Sequence, residues 1–174
     1  MTDYLDFGLN VLGLVSSYTE EERAAIRQAF IEAEGKSRWY MEQILWSING
    51  DLELYHKPQL SKYDLYFYSG GTKVKAEGKA REFPSTQFPD LKVSASKCDF
   101  NKCKNWWVVV YYEGDDRWFI WNLGEYKPSF EKDGYRHRKY TAIPYDPITN
   151  PIIVEDAWVF NFSDASMSGR LYGA

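Results

Sequence analysis

Residues 63–80 run Tyr-Asp-Leu-Tyr-Phe-Tyr-Ser-Gly-Gly-Thr-Lys-Val-Lys-Ala-Glu-Gly-Lys-Ala. Two strand-like runs separated by Gly70-Gly71 signal a type I′ hairpin, because both loop positions need positive φ and glycine adopts it without strain. With those two residues in the turn, Ser69 faces Thr72, and the register runs back to Asp64 opposite Glu77. Directly opposed residues share a face of the sheet, with Cβ atoms about 5 Å apart. The period of two places Lys75, Glu77 and Lys79 on the face of Asp64 and sends Val74, Ala76, Gly78 and Ala80 to the other. That second face is small and apolar, suited to packing under a helix.

Helical signals precede the hairpin. Thr19 followed by Glu22 makes a capping box. Ile26, Ala29, Phe30 and Ala33 then recur at helical spacing, with Gly35 as a stop. A second helix is expected over 37–49, with Met41, Ile44, Leu45 and Ile48 as its apolar stripe. Beyond Gly50 the period shortens to that of strands. Residues 51–57 read as a strand. Residues 81–105 are irregular around Pro84 and Pro89, with a short strand at 92–96 and a helical turn starting near 94–97. Residues 106–112 (Trp-Trp-Val-Val-Val-Tyr-Tyr) form an unbroken apolar run, as in a central strand buried on both faces. A further strand is expected at 118–123. Residues 124–151, with four prolines, read as a long loop. Residues 152–162 read as a last strand, and the small, polar tail from Ser163 as mobile. The order implies an α+β fold, a mixed central β-sheet with flanking helices, in a single domain over 1–174.

Composition narrows the class. Aromatic residues make up 18% of the chain, too many for a disordered one. No apolar run approaches the ~20 residues of a membrane span, and the start Met-Thr-Asp-Tyr-Leu-Asp lacks the basic opening of a signal peptide, so a cytoplasmic location is expected. Cys98 and Cys103 make neither a disulfide framework nor, with the distant His56 and His137, a good zinc signature. The net charge of −4 is unlike that of most nucleic-acid-binding domains, but it is unevenly spread. Residues 1–34 are acidic, whereas 73–104 and 127–139 are locally basic.

Like charges opposed on a sheet destabilise it. A hard divalent cation would remove the conflict between Asp64 and Glu77, since Mg²⁺ takes one or two carboxylates plus water and substrate oxygens. Lys79, two residues from Glu77, could stabilise charge on a phosphate oxygen or orient an attacking water. The competing reading is that Lys62, Lys75 and Lys79 only neutralise two acids on a wet sheet face.

Tyr63-Asp64, a twelve-residue spacer and Glu77-Gly78-Lys79 resemble the core motif of the PD-(D/E)XK nucleases, a superfamily of restriction enzymes, junction resolvases and phage or repair exonucleases. There, the Asp begins one strand, the Glu and Lys lie on its antiparallel neighbour, a helix precedes the hairpin, and a helix and an aromatic-rich strand follow. The order matches over residues 37–123, which would form a nuclease-like core, between a helical segment at 1–35 and an extension at 124–174. Tyr63 replaces the motif's proline, and Gly78 is small for its middle position.

The resemblance implies a Mg²⁺-dependent endodeoxyribonuclease, with Mn²⁺ substituting, acting on DNA in a restriction, phage or repair context. The cell would be the phage's host if the chain is phage-encoded, and a homodimer would suit duplex cleavage. Asp64 and Glu77 would hold the metal and Lys79 would be the catalytic lysine. Glu42, then Glu53, would be the auxiliary carboxylate. Arg81, Lys97, Arg136, Arg138 and Lys139 are the candidate phosphate contacts. The alternative is a non-catalytic protein that keeps this scaffold to bind nucleic acid or protein. A third reading is an aromatic-lined carbohydrate- or protein-binding β domain.

Overall fold

The structure, a computed structural model, describes residues 18–58, 63–96 and 99–173. Contacts group the chain into two compact units, Met1–Glu34 with Arg136–Val154, and Gly35–Tyr135 with Glu155–Ala174. The fold is mixed α+β. Among the described residues, one α-helix, α1 (Glu20–Ile48), precedes nine strands: β1 (Tyr55–His56), β2 (Leu65–Ser69), β3 (Thr72–Arg81), β4 (Asp90–Ser94), β5 (Trp106–Tyr112), β6 (Arg117–Asn122), β7 (Ser129–Arg138), β8 (Ile152–Asn161) and β9 (Met167–Gly169).

The capping box is present at its first half, where Thr19 Oγ1 accepts the Glu22 N–H at 3.1 Å. The expected stop at Gly35 is corrected, because α1 runs through it without a break. A mid-helix glycine costs about 0.5–1 kcal/mol relative to alanine, and side chains on both halves of α1 offset that by burial. Before Gly35, Ile26 packs with Tyr18, Tyr140 and Ile143, and Phe30 lies against them. After it, Met41, Ile44 and Leu45 enter the main core. The first of these clusters also holds the Tyr18 hydroxyl, which donates to the Thr149 carbonyl. Asn150, 1% exposed, donates to the Tyr140 carbonyl at 2.6 Å.

The larger sheet has the order β1-β2-β3-β5-β6-β9, and the smaller β4-β8-β7. Gly70 and Gly71 both have positive φ, at 56° and 81°. The hairpin they close has the expected register, from Ser69 opposite Thr72 back to Leu65 opposite Ala76. β3 then pairs in parallel with β5, and β5 is antiparallel to β6. Between β3 and β5 the chain leaves the large sheet to form β4, which pairs with β8.

Two apolar layers follow. Met41, Ile44 and Leu45 of α1 cover Leu65, Phe67, Val74, Ala76, Val109 and Ile120 on one face of the large sheet. Val108, Val110, Tyr112, Phe119 and Trp121 on the other face meet Leu91, Val93, Trp158 and Phe160 of the small sheet. Thus β5 and β6 are buried on both sides, which is why 106–112 is apolar without alternation.

Four further expectations are corrected. The strand at 51–57 is reduced to Tyr55–His56. The short strand expected at 92–96 is present as Asp90–Ser94, but the expected helical turn is replaced by a 3₁₀ turn at Phe100–Lys102, and no α-helix follows the hairpin among the described residues. The proline-rich segment contains β7, whose residues are mostly exposed and charged. Such a strand has no apolar face to betray it, and its charges suit a sheet edge. Finally, the tail carries β9, paired with β6 from Trp118 opposite Gly169 to Ile120 opposite Met167.

The tail is held by one carboxylate. Asp116, itself at positive φ, accepts the N–H groups of Leu171 at 3.0 Å, Tyr172 at 3.0 Å and Gly173 at 2.8 Å, and the Tyr111 hydroxyl at 2.9 Å. Partial burial pushes the Asp116 carboxyl up, but these four donors together hold it below its ordinary value. A depressed folded value means stability that is full at neutral pH and is lost as pH falls through that value. Hydrogen exchange of Leu171–Gly173 should therefore accelerate below the ordinary carboxylate range. In Asp116→Asn it should be fast at neutral pH and lose this acid dependence.

Candidate active site

Asp64, Glu77 and Lys79 lie where β2 and β3 diverge. Glu77 points to the face opposite α1, as alternation from Ala76 and Gly78 requires. Its neighbour across the parallel ladder is Val108, in the core beneath the small sheet. Glu77 is 1% exposed and Asp64 is 6% exposed, so both carboxylates are buried. A buried charge needs a partner. Lys79, on the same face as Glu77, puts its Nζ 3.2 Å from Glu77 Oε1.

Asp64 has a different set of partners. The β2–β3 ladder ends at Leu65–Ala76, one pair short of Asp64 and Glu77. The Asp64 N–H donates to the Ala76 carbonyl at 2.9 Å, and Asp64 Oδ2 accepts the Gly78 N–H at 2.8 Å. Asp64 thereby grips the two residues that flank Glu77. Its Oδ1 lies 3.7 Å from Arg38 Nε of α1. Arg38 is itself fixed by donating Nη1 to the Lys57 carbonyl at 2.7 Å and Nη2 to that of Pro58 at 3.3 Å.

Arg38 is the site residue the sequence reading misses. A signal for it exists. Positions 38, 41, 45 and 48 continue one helical stripe, so Arg38 is a charge on the apolar side of α1, where it requires an acid.

Gly78 also has a reason. A Cβ there would meet Met41 Cε at 3.1 Å, Met41 Sδ at 3.2 Å and the Ser37 carbonyl oxygen at 3.2 Å. The helix lies so close over β3 that a side chain at position 78 would need Met41 or the Ser37 backbone to give way.

Glu77 and Lys79 thus meet each other, whereas Asp64 meets Arg38 and the Gly78 N–H; the remaining candidates are engaged elsewhere. Glu42 Oε1 is 3.0 Å from His56 Nε2 and so is engaged at β1, and Glu53 is exposed beside Tyr55. Among the described residues, no group of three or more His, Cys, Asp and Glu side chains comes together. Arg81 continues the Glu77–Lys79 face at the end of β3, opposite Tyr112. Burial pushes the Tyr112 hydroxyl up to about 12, with Arg81 pulling the other way. Lys97 and Cys98 lie outside the described residues. Arg136, Arg138 and Lys139 belong to the other compact unit, where Arg138 lies over the Tyr145 ring at 5.8 Å. Within the basic stretches, Lys92 pairs with Glu131 at 3.0 Å and Lys102 with Asp99 at 3.7 Å.

Two buried carboxylates with all-oxygen donors suit a hard cation. Two protein ligands, with the other positions left to water and substrate, are the habit of Mg²⁺. Charge does not call for the cation, because Arg38 and Lys79 already balance Asp64 and Glu77; a bound dication would leave a net positive centre.

No family model matches the chain, and neither a curated protein nor a solved structure matches it. No helix among the described residues is long and apolar enough to cross a membrane.

Proposed function

We propose that this protein is a Mg²⁺-dependent phosphodiesterase acting on DNA, an endodeoxyribonuclease, with Asp64 and Glu77 as metal ligands and Lys79 as the catalytic lysine. The observation that carries the reading is the Asp64 carboxylate on the Gly78 N–H, beside the Glu77–Lys79 pair. This hydrogen bond ties Asp64 to the backbone of β3 between Glu77 and Lys79. The cation would polarise the phosphate and lower the pKa of a bound water. Cleavage of both strands of a duplex would follow from two copies of the chain.

The test is nicking of supercoiled plasmid with Mg²⁺ or Mn²⁺, against a chelator control. Glu77→Gln and Asp64→Asn keep side-chain volume and should each lose cleavage by at least about 100-fold, the scale of removing one main electrostatic contributor. Cleavage at the wild-type rate by both variants, with their melting curves intact, would sink the assignment.

A second reading is a non-catalytic binding protein on the same scaffold. The specific observation favouring it is that Arg38 and Lys79 already compensate both carboxylates, so the fold does not need a cation. Calorimetric titration separates the two. Mg²⁺ binding that is lost in Asp64→Asn supports the hydrolase, and no heat together with no cleavage supports the scaffold.

A further inference from the structure

The hairpin's face opposite α1 continues beyond Glu77 towards the turn. Leu65 and Phe67 point into the core under the helix, so Tyr66 and Tyr68 point the other way. Tyr66 is opposite Lys75, and Tyr68 is opposite Lys73. Tyr55 is opposite Tyr66 and so joins the same face. The Tyr55 and Tyr66 rings stack, with centroids 5.0 Å apart and planes within 10°. Tyr68 stands edge-on to both, at 6.1 Å from each. The ammonium of Lys73 lies 4.1 Å from the Tyr66 centroid, and that of Lys75 lies 5.2 Å from the Tyr63 centroid.

This cluster is open. The small sheet packs on β5 and β6, whereas Tyr68 is 53% exposed and Lys73 is exposed. Neither Lys73 nor Lys75 is ion-paired among the described residues, and Glu53 at the margin accepts a hydrogen bond from Tyr55. Rings beside unpaired cations are a mismatch for a neutral glycan and a match for a polyanion with flat faces. Along β3 the same face carries Lys73, Lys75, Glu77, Lys79 and Arg81, so the strip shares its face with the carboxylate centre.

We infer that Tyr55, Tyr66, Tyr68, Lys73 and Lys75 form a binding strip for a single-stranded segment of nucleic acid, on the face of β3 that also carries Lys79. A base stacks on the exposed Tyr68 ring, which the stacked Tyr55–Tyr66 pair supports from the side, and phosphates meet the lysines. Stacking needs bases with free faces, which a duplex does not offer, so unpaired strands are selected. The inference rests on the nucleic-acid part of the reading above and not on hydrolysis.

The test is fluorescence anisotropy of a labelled oligothymidylate and of a duplex of equal length, in chelator so that no cleavage occurs. The wild type should bind the single strand more tightly. The double variant Tyr66→Ala/Tyr68→Ala should weaken that binding by about 10-fold or more, and Tyr68→Ala, on an exposed ring, by a smaller factor. In Lys73→Gln/Lys75→Gln the slope of log affinity against log salt should shrink by about 1.4, two single-strand phosphate contacts. If the double tyrosine variant fails to fold, Tyr68→Ala and the lysine variant decide. Equal affinity of these variants and the wild type overturns the strip. So do preference for duplex, absence of single-strand binding, or binding that ignores salt, as for a glycan or a protein partner. Single-strand binding without any Mg²⁺-dependent cleavage would refute the hydrolase and leave the strip standing.

Discussion

Lys79→Ala is expected to remain folded and to lose Mg²⁺-dependent DNA cleavage by about 10²- to 10³-fold, the usual cost of removing a group aimed at transition-state charge. The geometry separates this loss from simple damage. The Lys79 side chain is 25% exposed, whereas that of Glu77 is 2% exposed. The ammonium therefore sits between a buried carboxylate and solvent, the side from which the proposed phosphate substrate would approach. Removing it leaves Glu77 with less compensation, which should lower stability by about 1–3 kcal/mol. It also frees Glu77 from a competitor for the cation, so Mg²⁺ affinity measured by calorimetry should hold or rise while the rate falls. Retained metal affinity with a collapsed rate is what a catalytic lysine gives. A merely structural lysine would lower the melting temperature and leave the rate per folded molecule unchanged. Lys79→Arg tests the same point. It restores the positive charge near Glu77 but not the compact ammonium, so stability should return more fully than the rate.

How far the sequence carried this reading depended on whether each signal was local. The hairpin was legible because Gly70 and Gly71 state their own backbone requirement. The central strand was legible because burial on both faces leaves an unmistakable apolar run at 106–112. β7 was not, since an exposed edge strand obeys no hydrophobic period. α1 was read as two helices because Gly35 looks like a stop by propensity, and its burial on both sides of that point comes from residues far along the chain. The tail looked mobile because what holds it is Asp116, more than fifty residues earlier and invisible to any window. The site divided in the same way. The placement of Glu77 and Lys79 on one face followed from strand period alone. The orientation of Asp64 did not, because it is set by Arg38 on the helix and by the Gly78 N–H left over where the ladder ends. A charge at position 38 of an otherwise apolar stripe was the available clue to that arrangement.

Gly78→Val should be the most damaging single change at the site that removes no charged group. Its Cβ would fall 3.1 Å from Met41 Cε and 3.2 Å from the Ser37 carbonyl oxygen, and valine adds two methyls there. Met41 ends in a flexible thioether and can move aside in part, although it is 1% exposed in the core. The Ser37 carbonyl belongs to the helix backbone and cannot move without shifting α1. Overpacking of this kind costs about 1–3 kcal/mol, or about 2–12 °C in melting temperature for a chain of this size. The damage should reach the site, because the Gly78 N–H holds Asp64 Oδ2 at 2.8 Å and Lys79 is the next residue. A β3 pushed from the helix strains the Gly78–Asp64 hydrogen bond, so cleavage should fall in the folded fraction as well. A double-mutant cycle isolates the cause. Met41→Ala alone opens a cavity and Gly78→Ala alone crowds the thioether, so in combination the new methyl enters vacated space. The double variant should be more stable than the two single effects predict by about 0.5–3 kcal/mol, the range for residues in contact. Strict additivity would mean that Met41 is not the obstacle. The close approach of helix to strand would then act through the Ser37 backbone, and no side-chain replacement on α1 would rescue the strand.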